Sequence, residues 1–215
     1  MNTQNALDRA YAHWLKDGIF EIVFGILLVG VGTLRAIIHF AGENSAAYYW
    51  LIGGLFVFMI GYAWGGKRIG EFLKTRITYP RIGFTAFKPR TYNYKSILAI
   101  LVLLIFAGIL GGVVGVLATQ PNQQEIGGIV PITQGIVGAL AFAYAAHRFE
   151  VKRLYYLAAF SLGIGLVIGA LGVGVVLGVS FFYLSIGLAL IVTGSVALVQ
   201  FLRSHEPIDL NSESQ

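Results

Sequence analysis

The sequence predicts an all-α, polytopic membrane protein. It should have six transmembrane helices arranged as three hairpins, with a long basic cytoplasmic loop between helices 2 and 3. Three observations carry this expectation. First, 57% of the 215 residues are hydrophobic and only 12% are charged, with a mean hydropathy of +0.76; a soluble domain carries about 25% charged residues. Second, eight of the fifteen Lys and Arg residues are gathered in residues 67–95, between long apolar runs. Such a segment stays in the cytoplasm and orients its neighbours. Third, residues 154–202 hold no Asp, Glu, Lys or Arg, a run too long for one helix and therefore a hairpin.

Residues 1–17 mix acidic and basic side chains without a small-residue cleavage site, so no cleavable signal peptide is expected. Leu7, Ala10, Tyr11 and Trp14 recur at helical spacing, which fits an amphipathic surface helix or an extension of the first span. The first hairpin occupies residues 18–66, with spans at about 18–40 and 46–66. Each is long enough to cross ~30 Å of hydrocarbon. Residues 67–95 form the basic loop. Within it Ile69, Phe72, Leu73 and Ile77 have helical spacing and predict an interfacial basic helix ended by Pro80. The second hairpin covers residues 96–147, with spans at 96–119 and from Gly127-Gly128 to His147. Residues 148–202 hold a charged link and the third hairpin, whose turn should fall within residues 172–180, where glycines permit a tight reversal. Residues 203–215 read as a disordered cytoplasmic tail. With both termini inside, fourteen of the fifteen Lys and Arg lie on the cytoplasmic side and only Arg35 falls outside.

A seven-residue glycine spacing recurs in the spans as Gly25/Gly32, Gly54/Gly61, Gly108/Gly115, Gly165/Gly172 and Gly187/Gly194, with Gly135/Phe142 as a degenerate form. Seven residues are close to two helical turns, so each pair shares a face that another backbone can approach. Three tandem hairpins with this G-[IL]-x5-G pattern resemble the HdeD-type acid-resistance membrane proteins, which are built from short hydrophobic repeats. The resemblance covers the spans only and implies a stress-associated membrane protein without a defined mechanism. The basic loop departs from that pattern. Its Tyr79-Pro80-Arg81 instead resembles a segment of uncharacterised prokaryotic membrane proteins.

Few residues are candidates for chemistry. Glu21 is the only acidic residue well inside an apolar run, where a carboxylate can serve as a proton or cation ligand. It lies about a turn from the cytoplasmic end, where water is within reach. Gln134 lies deeper, and its amide fits a hydrogen bond to another helix better than a pore lining. Arg35 and His39, one turn apart, could take a lipid phosphate or another anion, or Arg35 could snorkel to the interface. Lys67, Arg68, Lys74, Arg76 and Arg81 are candidates for anionic lipid at the cytoplasmic face, at ~1 kcal/mol each. Pro131 and Thr133 should begin the fourth span.

There is no Cys and no catalytic, metal or phosphate-binding motif. The expectation is therefore a non-enzymatic protein without cofactors, in a prokaryotic inner (plasma) membrane. Its expected partners are membrane lipids and a second copy or a larger membrane complex, not nucleic acid. The alternative is a small-solute or ion transporter or channel with a path lined by Glu21 and Gln134.

Overall fold

The computed structural model describes residues 17–41, 46–77 and 123–204. The described residues are helical, in five elements: α1 (Ile19–Ala41), α2 (Ala46–Ile77), α3 (Gln123–Phe149), α4 (Arg153–Leu171) and α5 (Val175–Ser204). Among the described residues, four helices are long and apolar enough to cross a membrane: α1, α4, α5 and the Gly128–Phe149 part of α3. The apolar part of α2 is shorter, Gly53–Tyr62. Large apolar side chains such as Phe40, Val57, Tyr156 and Leu171 face outward, as they would toward lipid. The described residues thus form an all-helical protein that is embedded in a membrane. The expected third span at 96–119 lies outside the described residues, as do the surface helix at 5–16, loop residues 78–95 and the tail from 205 on.

The predicted turn of the last hairpin is found at its early edge. Gly172 caps α4 in the left-handed conformation (φ 59°), its N–H donating to the Gly169 carbonyl at 3.3 Å. Gly174 (φ 86°) follows, and α5 starts at Val175. A side chain at either position would be strained.

Two boundaries differ from expectation. Helix α2 does not stop at Gly66 but continues through the first residues of the basic stretch to Ile77. The reason is local: no Pro stands between Gly66 and Pro80, and the Lys, Arg, Glu and Leu residues there favour helix enough to carry it across Gly70. At 32 residues it is about 48 Å long, longer than a bilayer core. Helix α3 starts at Gln123, so Pro131 lies inside it and not at its start. The Pro ring is fully buried and sits against α5, where a Cβ on Gly178 would come within 2.8 Å of Pro131 Cγ. The break in the helix ladder is tolerated where a neighbouring helix covers it.

The larger difference concerns which helices pair. The predicted hairpins pair α1 with α2 and α4 with α5, yet among the described residues the closest interfaces join α1 to α5 and α3 to α4. Helix α1 runs antiparallel to α5, and every seven residues their backbones touch. A Cβ on Gly25 would stand 2.7 Å from the Gly187 carbonyl oxygen, and one on Gly187 would stand 2.8 Å from that of Gly25. One step down, Gly18 (φ 74°) meets Gly194; one step up, Gly32 meets Ser180. In α3 and α4, Gly128 meets Gly169, Gly135 meets Gly165, and the Ser161 hydroxyl donates to the Gly135 carbonyl at 3.2 Å. Among the described residues nothing lies within 4 Å of a Cβ on Gly54 or Gly61. Gly172 serves the turn. The same spacing therefore has three different fates, and Gly108/Gly115 lie outside the described residues.

The α3–α4 link contains the one positive φ at a non-glycine residue among those described, Glu150 (φ 56°). It closes α3 in a Schellman arrangement: the Val151 N–H donates to the Ala146 carbonyl at 3.2 Å, and both side chains are buried. A Cβ in this conformation costs roughly 1 kcal/mol. Glu150→Gly is accordingly expected to raise stability by about 0.5–1 kcal/mol, read as a higher melting temperature in one detergent.

Candidate functional site

The bundle has one end rich in charge. The start of α1, the end of α2, the α3–α4 link and the end of α5 lie there, and two ion pairs tie α1 to α2 and to α4. At the first, Asp17 precedes α1 and accepts from the Ile19 N–H through Oδ1 at 3.2 Å. The positive end of the helix dipole favours a carboxylate at this position. Its Oδ2 meets Lys74 Nζ of α2 at 3.3 Å, and the two side chains are 0% and 3% exposed. Burial pulls the Lys74 ammonium below its ordinary range, and the charge of Asp17 works against that pull. Lys74 is therefore not free at a lipid surface, which corrects its place among the anionic-lipid candidates.

The second pair joins α1 to α4. Arg153 Nε donates to Glu21 Oε1 at 2.8 Å. The guanidinium is 23% exposed and the carboxylate only 5%. Arg153 is the first residue of α4, where a cation opposes the helix dipole; Glu21 offsets that. The second carboxylate oxygen, Oε2, is buried and has no hydrogen-bond partner among the described residues. Glu21 thus sits in a closed pair and not in an open path to water.

Beside this pair lies a cavity of about 340 Å³ between α1, α3, α4 and α5. Phe24, Leu28, Phe142, Phe182, Ile186 and Leu190 form its walls, and Glu21 and Ser161 are its polar members along with Tyr183. The Ser161 proton is already given to Gly135. Gln134 does not line this cavity; its Oε1 is buried without a partner among the described residues, so the expected interhelical bond of that atom is not seen there. The two residues of the expected path do not share a wall.

The other candidates are dispersed. Arg35 is half-buried, with its Nε unpartnered among the described residues, and His39 is exposed against Phe40, ring centroids 5.5 Å apart. Arg68 and Arg76 are exposed; Arg76 stacks over the Phe72 ring at 4.9 Å. Lys67 belongs to α2, and Arg81 lies outside the described residues. The Tyr62 hydroxyl donates to the Val23 carbonyl and joins α2 to α1.

Asp17 and Arg153 were the residues that sequence reasoning missed as partners. One signal was present: charge bias places both at the same membrane face as Glu21 and Lys74. In comparisons with known proteins, no family model, no curated protein and no solved structure matches the chain.

Proposed function

We propose that this chain is a non-enzymatic structural or accessory component of a prokaryotic inner membrane, with six spans and both termini in the cytoplasm. It packs against a second copy or within a larger membrane complex. The resemblance to HdeD-type proteins makes a role under stress the natural context. The observation that carries this reading is the state of Glu21. The one carboxylate well inside an apolar run is tied to Arg153, and the cavity it borders excludes Gln134. The charges thereby serve to fasten helices together. Beyond the bundle, α2 carries Arg68 and Arg76 outward, where anionic headgroups would meet them.

Proteoliposomes test this reading. The protein is expected to leave proton and monovalent-cation flux at the level of protein-free vesicles, and Glu21→Gln is expected to lower thermal stability without changing flux. A flux that falls in Glu21→Gln would establish the transporter in its place. The six-span topology has its own test. Cysteines at Asn44 and Gln123 should react with an impermeant thiol reagent on intact cells, and one at Ser212 should not. Labelling at position 212 overturns the orientation.

A further inference from the structure

We infer that the groove between α1 and α3 is the docking site for residues 96–119 of this same chain. Their bulky half fills the cavity described above, and their glycine-rich half closes the groove toward the opposite membrane face. This rests on the six-span reading and adds to it the place of the remaining span. The connection demands a crossing. Helix α2 ends at Ile77, at the charged end of the bundle, whereas α3 starts at Gln123, at the other end, and returns to the charged end with Phe149. The 45 residues 78–122 between them therefore pass from one face to the other. Within them, residues 96–119 are the stretch free of Asp, Glu, Lys and Arg that is long enough to cross. Residues 120–122 alone then join it to α3. Helices linked so briefly lie side by side and antiparallel.

The geometry of α3 and α1 selects the face. Gly128, Pro131 and Gly135 set α3 against α4 and α5. The outer side of α3, with Ile129 and Leu140 exposed, offers a single wall. The groove offers two, because α1 and α3 both pack on α5 and hardly touch each other; a helix seated there makes more packing contacts. On α1, Phe24, Leu28, Val31, Arg35 and Ile38 follow at alternating steps of four and three, so they form one stripe. Val31 and Ile38 are buried, yet they belong to neither apolar cluster of the described helices. The shapes also match. The cavity is confined to the cytoplasmic half of the groove, where its lining reaches Leu28 on α1 and Gly138 on α3. Residues 97–106 read ILAILVLLIF, whereas 107–118 contain Gly108, Gly111, Gly112 and Gly115. A segment entering from the charged end brings its large side chains level with the cavity and its glycines level with the part that has none.

The test uses the full chain, which has no native cysteine. Ala141→Cys on the α3 wall of the cavity is combined with one further cysteine at each position from 98 to 105, and membranes carrying each pair are oxidised. Joined peptides are identified by mass spectrometry in the monomer band. A disulfide needs Cα atoms within ~7 Å, so linking is expected at positions that recur every three or four residues, about tenfold above the positions between them. Ala141→Phe, without any cysteine, is expected to lower the melting temperature by roughly 5 °C, because the space it enters is already filled. Absence of any linked position overturns the inference. So do links found only between two chains, which would seat a second copy in the groove. An Ala141→Phe melt at or above that of the wild type overturns it as well and leaves the cavity to lipid. Thiol labelling at Gln123 reads the crossing by itself. If that position labels from outside and no link forms, the docking fails and the six spans stand; if it does not label, both fail.

Discussion

Gly187→Leu is expected to destabilise the protein by about 3 kcal/mol or more, whereas Gly61→Leu, the same change in another helix, is expected to be neutral or to stabilise by about 0.5 kcal/mol. At Gly187 even the first added carbon would lie 2.8 Å from the Gly25 carbonyl oxygen and 2.8 Å from the Val29 backbone nitrogen. Neither atom can turn aside, so α1 and α5 must separate along their whole contact. At Gly61 nothing among the described residues lies within 4 Å, and Leu is simply a better helix former than Gly. Thermal melts of both variants in one detergent decide the matter. If both tolerate Leu equally, the backbone contact between α1 and α5 is not what holds the bundle.

Arg153→Met should be the more damaging way to break the second ion pair, costing about 3–5 kcal/mol, because it leaves Glu21 charged and buried. Glu21→Gln should cost only about 1–2 kcal/mol. The asymmetry comes from exposure: the guanidinium, at 23%, can turn toward water, and the carboxylate, at 5%, cannot. The double variant Glu21→Gln/Arg153→Met removes both charges and should recover to within about 1 kcal/mol of the wild type. Equal losses in the two single variants, adding up in the double, would mean that the pair is not coupled. A chemical-denaturation series on the three variants and the wild type reads this directly.

The sequence made the elements legible and left the pairing hidden, for a physical reason. Apolar length marks a span whatever it packs against, so α1, α4, α5 and the apolar part of α3 could be read directly. The turn at Gly172–Gly174 was legible because two charge-free spans must reverse somewhere and glycine allows it. A glycine face shows that a backbone can approach, but an identical face on every span does not show which one will. Gly25 and Gly54 look alike in sequence; one meets Gly187 and the other meets nothing described. The candidate site shows the same division. Glu21 stood out as a carboxylate in an apolar run, but its partner lies 132 residues away. Lys74 was counted with the lipid-facing cations because nothing local distinguishes a buried lysine from its exposed neighbours Arg68 and Arg76. Its fate depends on Asp17, in another helix's cap.

The pairing of α1 with the last two helices also sets a schedule for the chain's birth. Glu21 enters the membrane 132 residues before Arg153, and at ~5–20 residues per second synthesis alone keeps them apart for on the order of ten seconds. Throughout that interval the first helix presents an unmatched carboxylate and a bare glycine seam. The nascent chain therefore has to be sheltered by the insertion machinery or wait at the membrane surface. Ribosomes halted before α5 emerges would hold an α1 that insertion factors can still be cross-linked to, and completion of α5 would release it.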